Sequence, residues 1–331
     1  MKASFNCLVI LISSLCFSYP LAAQDKTAVL QDSIQTPLTI KDSSHPKDST
    51  LQKKKTLEKG AAASSDSTAS TPSHFQLNAV YQSNNVYLGR ADSAVMPLIT
   101  PQISYIFKSG FEIDLNVGID AQGPCWQLNS YVLDVSYTFS PGNYTGAATL
   151  SASNYSLNST SIQAGQNGSL EYDNNYDFSF VQASLNLSWI FASTPDYQLV
   201  FALQHEYDFF GGNLSVTPTA TMNASTQNVY SSYYKNKKFK IHRPGNLPPD
   251  VTISGEVLNS GKFQIMDYEL SAPLNYTAGK WTFNFTPTYA LPVNPADILL
   301  TTKSNNGSHK ITYKETIPNE FYYQVGVTYA F

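Results

Sequence analysis

Phe111-Glu112-Ile113-Asp114-Leu115-Asn116-Val117-Gly118-Ile119-Asp120 reads FEIDLNVGID, and every second residue is apolar. Phe111, Ile113, Leu115, Val117 and Ile119 alternate with Glu112, Asp114, Asn116, Gly118 and Asp120. A helix would scatter these five apolar residues around its circumference. A pleated strand sends them to one face and the polar set to the other. The same period governs the end of the chain, where Phe321, Tyr323, Val325, Val327, Tyr329 and Phe331 oppose Tyr322, Gln324, Gly326, Thr328 and Ala330. WTFNFTPTYAL (281–291) and LSVTPTATM (214–222) repeat it. These are strands with one apolar and one polar side.

Two architectures use such strands. In a soluble sandwich the apolar faces meet inside; in a membrane barrel they meet lipid and the polar faces line the interior. Three features favour the barrel. The strands run about ten residues, the span a tilted membrane strand needs. Their apolar faces end in aromatic residues, and no Lys or Arg occupies a strand interior, Lys280 sitting at an edge. The expected fold is therefore all-β, a transmembrane antiparallel up-and-down β-barrel over residues 74–331. Strands are expected near 75–83, 98–107, 111–120, 128–139, 143–155, 176–191, 197–209, 213–222, 263–276, 280–291 and 320–331. That set is odd, and a bacterial single-chain barrel with both ends on one side needs an even number. TQNVYSSYYK (226–235) is the best candidate for the missing strand, making twelve; ten is the alternative. One similarity resists this scheme. GGNLSVTPTA resembles GKWTFNFTPTYA, yet the alternation sends the two strands in opposite directions.

Upstream of the strands the composition changes. Residues 1–23 read as a secretory signal, with Lys2, the apolar run CLVILISSLCF and the small-residue site PLAA. Residues 24–73 are rich in Ser, Thr, Lys and Asp, hold no aromatic residue and show no period. Such a segment buries too little apolar surface to offset chain entropy, and a disordered tail is expected. Of three cysteines, Cys7 and Cys16 fall in the signal, so Cys125 stands alone in the mature chain and no intrachain disulfide is expected. A net charge of −4 with no basic domain argues against a nucleic-acid partner.

The terminal pentapeptide VTYAF (327–331) has echoes in ISYIF (103–107), VSYTF (135–139) and LSWIF (187–191). Amphipathic rings favour the headgroup level of a bilayer. The echoes therefore mark a girdle of Tyr105, Phe107, Tyr137, Phe139, Trp189, Phe191, Tyr276, Trp281, Tyr329 and Phe331 at one membrane interface. The terminal Phe with aromatic or apolar residues at alternate positions also resembles the carboxyl-terminal signal of bacterial outer-membrane β-barrel proteins. The tail, the signal ending AAQ and phrases such as NFTPTYALPVNP look like barrels of Bacteroidota outer membranes, a porin-like class. The resemblance implies a Gram-negative outer-membrane location and a periplasmic N-terminal tail. It also implies insertion by the barrel-assembly machinery through the Phe331 motif, with lipid bilayer and lipopolysaccharide as surroundings.

Barrel parity turns Glu112, Asp114, Asp120, Asp134, Glu206, Asp208, Asp267 and Glu269 inward. Eight acids with no strand-interior cation describe an acidic lumen, which attracts cations or stays hydrated. The expected function is a narrow polar channel or solute-binding barrel. The alternative is a structural or surface-interaction barrel acting through its loops and tail. A membrane lipid-modifying enzyme is the third reading. The one strand-interior histidine, His205, has no Ser two residues on and faces lipid while Glu206 faces inward, so no enzyme, catalytic residue, metal or cofactor is expected. Among the longer connections, 236–262 carries Lys237, Lys238, Lys240, His242 and Arg243, a basic loop able to meet lipopolysaccharide phosphates or simply water.

Overall fold

A computed structural model describes residues 72–91, 95–122, 126–157, 159, 161–235, 251–304 and 307–331. The expected signal (1–23), the tail (24–73) up to residue 71, Cys125 and the basic loop residues Lys237, Lys238, Lys240, His242 and Arg243 lie outside them. Twelve antiparallel strands close into a barrel. They are β1 (His74–Gln82), β2 (Leu98–Ile106), β3 (Phe111–Asp120), β4 (Gln127–Phe139), β5 (Tyr144–Tyr155) and β6 (Gln166–Asp177). There follow β7 (Gln182–Ala192), β8 (Asp196–Gln204 continuing as Tyr207–Phe209) and β9 (Leu214–Val216 continuing as Thr219–Ser225). The last three are β10 (Gln264–Ser271 continuing as Leu274–Ala278), β11 (Trp281–Pro292) and β12 (Glu320–Ala330). Each pairs with its sequence neighbours, and β12 returns to β1 with Gln76 opposite Ala330 and Gln82 opposite Gln324. Closure leaves no bare strand edge, the condition a sheet must meet in hydrocarbon.

The breaks in β8, β9 and β10 share a cause. Pro218 and Pro273 have no N–H to give the ladder. The backbone bridges the gaps with bonds from His205 N–H to the Pro218 carbonyl (3.3 Å) and Thr217 N–H to the Pro273 carbonyl (2.9 Å). The outward faces carry Phe111, Ile113, Leu115, Leu133, Val135, Leu150, Leu170, Leu187 and Phe283, all exposed. A contiguous apolar band of that size is anomalous in water and matched in a bilayer.

The short connections 107–110, 140–143, 178–181, 210–213 and 279–280 all lie at the end where β1 begins and β12 ends, and the longer ones, together with the three-residue turn 193–195, at the opposite end. Three sequence expectations change here. The unassigned strand is 166–177, while 226–235 holds instead the helix α1 (Asn228–Tyr233). QNGSLEYDNNYD escapes notice because only Leu170, Tyr172 and Tyr176 mark its outer face. Inserting a strand there reverses the direction of those next in line. β7 therefore runs away from the termini and puts Trp189 and Phe191 at the far rim, beside Tyr197 of β8. The reversal also resolves the conflict between the two similar stretches: GGNLSVTPTA and GKWTFNFTPTYA both leave short turns at the same end. The other girdle residues gather at that end, with ring contacts Tyr105–Phe107, Tyr137–Phe139, Trp281–Tyr329 and Tyr329–Phe331.

Where β6 begins, Gly168 interrupts the register with β7 at φ +153°, and a Cβ there would run into the Ser151 carbonyl oxygen. That oxygen belongs to the backbone and cannot rotate away. Gly168→Ala is expected to destabilise the barrel by about 1–3 kcal/mol, the usual cost of a forbidden backbone conformation, read as a lowered urea midpoint in lipid vesicles.

Candidate functional site

The inner faces of the twelve strands hold polar side chains bonded to one another across strands. Thr328 donates to Asn78 Oδ1 (3.1 Å), Asn78 to Gln102 Oε1 (3.1 Å) and Gln324 to Gln82 Oε1 (3.0 Å), so the seam between β12, β1 and β2 is stitched on its wet side as well as by its backbone. None of the twelve strands contains a Lys or Arg. Side chains rather than a wide bore occupy much of this interior: Ser104, Asp114, Ser136, Asn186 and Gln324 are all buried. That fits the small diameter of a twelve-stranded closure.

The acids expected inside, with two more on β6, fall into three groups and one single residue. On one wall, Asp114 and Asp134 are direct cross-strand partners, and Glu112 stands opposite Ser136. Asp134 accepts from Asn116 (2.8 Å). The same wall continues onto β6, which the alternation does not reveal, with Glu171 accepting from Ser169 (2.7 Å) and Asp173 from Asn186 (2.8 Å). Like charges at such spacing repel through a low dielectric, and the neutral donors offset only part of that. On the facing side, Asp267 and Glu269 of β10 accept from Asn223 (3.3 Å) and the Tyr322 hydroxyl (3.1 Å). Glu206 and Asp208 are exposed towards the terminus-bearing end, where β8 is broken. Asp120 stands apart near the far rim, holding Asn129 (2.6 Å).

The far mouth is covered by folded loops. A two-residue hairpin (Val86–Tyr87 with Arg90–Ala91) turns through Leu88 and Gly89, both at positive φ. Beside it stands α1, which forms because Val229, Tyr230 and Tyr233 share one buried face at helical spacing. Its first turn is held by the barrel wall: the Asp196 carboxylate of β8 accepts the Asn228 N–H (2.7 Å) and the Val229 N–H (2.8 Å). A three-stranded sheet of Thr252–Val257, Asp297–Ser304 and Gly307–Lys314 completes the cover. Tyr87, Leu88, Ile162, Tyr230, Tyr233, Tyr234, Val257, Ala296 and Ile298 form one apolar cluster with Met266 of β10. Four separate connections thus build a single cap seated on the wall.

One charged side chain penetrates that cap. Arg90 is 2% exposed, and its Nη2 donates to Gln227 Oε1 (2.8 Å) and the Asn294 carbonyl (3.3 Å). Its Nε lies 3.6 Å from Glu315 Oε2, and its Cζ is 4.6 Å from the centre of the Tyr230 ring. The Tyr230 hydroxyl donates to Glu315 Oε1. Burial first, and then the Glu315 charge, push the Tyr230 hydroxyl far above the ordinary phenol range, so it keeps its proton and remains a donor. The tip of the hairpin lies directly against Asp267 of β10. A Cβ on Gly89 would lie 2.8 Å from Asp267 Cβ, so only glycine lets the loop approach this closely.

Sequence alone reveals neither Glu171 and Asp173, because their strand goes unassigned, nor Arg90, Tyr230 and Glu315. A lone Arg in YLGRA looks like any solvated loop cation. His205 lies against Tyr207 on the outer face (ring centres 4.6 Å apart), diverging from Glu206 as its position in the alternation requires. Among the described residues no group of three or more His, Cys, Asp or Glu is arranged to hold a metal.

No family model matches the sequence, and no curated protein matches it. Solved structures resemble it in outline. A KdgM porin has a TM-score of 0.42 at 11% identity, covering 77% of this chain and 99% of its own. A NanC porin gives 0.41 at 10% identity, covering 77% and 98%. An outer membrane channel from Pseudomonas putida F1 gives 0.40 at 9% identity, covering 82% and 100%. The strand pairing of the chain itself, closed from β12 to β1, defines the barrel.

Proposed function

We propose that this chain is a narrow outer-membrane channel or solute-binding barrel that favours small cations or basic hydrophilic solutes, with access at the far mouth controlled by the loop cap. The observation that carries the reading is the charge asymmetry of the staves: acids on β3, β4, β6, β8 and β10, and no Lys or Arg on any of the twelve barrel strands. A low-dielectric wall focuses that negative potential inward and raises the local concentration of cations. The apolar outer band and the aromatic rims support the membrane setting. Terminal Phe331, whose N–H donates to the Phe75 carbonyl (3.0 Å), supports recognition by the barrel-assembly machinery. In this reading residues 24–73 extend into the periplasm, and the basic loop around Lys237–Arg243 faces lipopolysaccharide.

Planar-bilayer recording tests the proposal. Under a KCl gradient the reversal potential is expected to report cation preference. The triple variant Asp134→Asn/Glu171→Gln/Asp173→Asn should lower the cation-to-anion permeability ratio roughly threefold or more. Anion preference, or no conductance from correctly folded protein, overturns the reading. A surface-interaction role would then take its place, favoured by the Gly307–Lys314 strand, which is exposed along its whole length. Deleting 24–73 without loss of assembly but with loss of partner capture would support that role.

A further inference from the structure

Arg90 sits in a recess whose chemistry is selective. Every described group around its guanidinium is an acceptor or a π face: Gln227 Oε1, the Asn294 carbonyl, the Glu315 carboxylate and the Tyr230 ring. Tyr230 spends its hydroxyl on Glu315 Oε1, which leaves Oε2 turned to the cation. A planar cation is what such a set recognises, by forked hydrogen bonds at its edge and ring contact on its face.

The present occupant fills the recess incompletely. Among the described residues Arg90 Nη1 finds no hydrogen-bond partner although it is buried, and the 3.6 Å between Nε and Glu315 is longer than a hydrogen bond. The tether itself is strained. Leu88 adopts φ +50°, which a branched side chain rarely does, while its neighbour Gly89 takes its positive φ without strain. A buried guanidinium with unmet donors, held by a strained turn, is bound less well than the recess allows.

We propose that this recess is a guanidinium-binding site which the chain fills with its own Arg90, and that a free guanidinium-type cation competes for it and releases the Val86–Ala91 hairpin from Asp267 of β10. Occupancy of the recess does not depend on the channel reading; the consequence for passage rests on it. With the hairpin seated, Arg90 and Gly89 cover Asp267 beneath the cap. With it displaced, the mouth opens over Asp267 and Glu269.

The experiment compares wild type with Arg90→Ala in lipid vesicles, followed by hydrogen exchange of the 83–91 amides and of those around Gln227, Tyr230 and Glu315, and by single-channel conductance. Arg90→Gln, shorter than arginine and uncharged but still polar, serves if the alanine variant fails to fold. The probe is millimolar guanidinium chloride against sodium chloride of equal ionic strength. Emptying the recess should speed exchange of these amides about tenfold or more, and guanidinium but not sodium should restore protection around Gln227, Tyr230 and Glu315. Arg90→Lys, which keeps the charge without the fork, should fall between wild type and Arg90→Ala. Protection unaffected by guanidinium in a folded variant, or a lysine variant equal to wild type, overturns the site. If neither protein conducts while guanidinium still restores protection, the channel reading fails and the site stands. If both conduct equally and exchange does not change, the site fails and the channel stands.

Discussion

Leu150→Arg is expected to lower the folding free energy of the barrel in a bilayer by about 2–4 kcal/mol, the cost of a cation on the lipid face near mid-depth. Leu150 is 55% exposed halfway along β5, flanked by Val135 of β4 and Leu170 of β6. Thr149→Arg, one residue away, is expected to cost little. Its side chain turns to the interior, where the cross-strand neighbours are Ser136 and Glu171, and the new cation meets an acidic wall. Urea unfolding of both variants in lipid vesicles measures the difference. Equal midpoints would contradict the assignment of faces on which the whole barrel depends.

The second large effect concerns the cap. Glu315→Ala removes the carboxylate that faces Arg90 and accepts from Tyr230. Breaking one side of a buried ion pair strands the other charge, and the expected loss is about 3–5 kcal/mol. It should fall on the loops rather than on the staves, because the strand ladder runs independently of Glu315. Near-ultraviolet dichroism from Tyr230, Tyr233 and Tyr234 should fade at a lower temperature than in wild type. The strand signal in the far ultraviolet should persist. Simultaneous loss of both signals would show that the cap and barrel unfold together.

Much of the barrel is legible in the amino-acid pattern, and the reason is geometric. In FEIDLNVGID the lipid and lumen environments differ so sharply that each residue reports its own side. QNGSLEYDNNYD shows where this fails. Its outer face has Asn174 between Tyr172 and Tyr176, so the alternation thins out and the segment reads as a polar loop. TQNVYSSYYK misleads in the opposite sense. It is aromatic enough to pass for a strand, yet it has no neighbouring stave to pair with, and Val229, Tyr230 and Tyr233 gain burial only as a helix. The two misreadings cancel in the strand total while reversing the direction of the strands from β7 to β9 and moving Trp189 and Phe191 to the opposite rim. The Arg90 recess is not legible at all. Its parts come from four stretches of chain distant in sequence, and no local pattern marks a loop cation that turns inward rather than to water.

The seam between β1 and β12 sets the order of events during assembly. Thr328 and Asn78 hydrogen-bond across 250 residues of chain, so this contact carries a large loop-closure cost, and it needs the residues of β12 to be present. Until they arrive the molecule is an unsealed ribbon with two bare margins, each a template for wrongful pairing with another copy. Strand β12 is thus a physical prerequisite for a sealed wall. A product lacking it is left open and prone to clump.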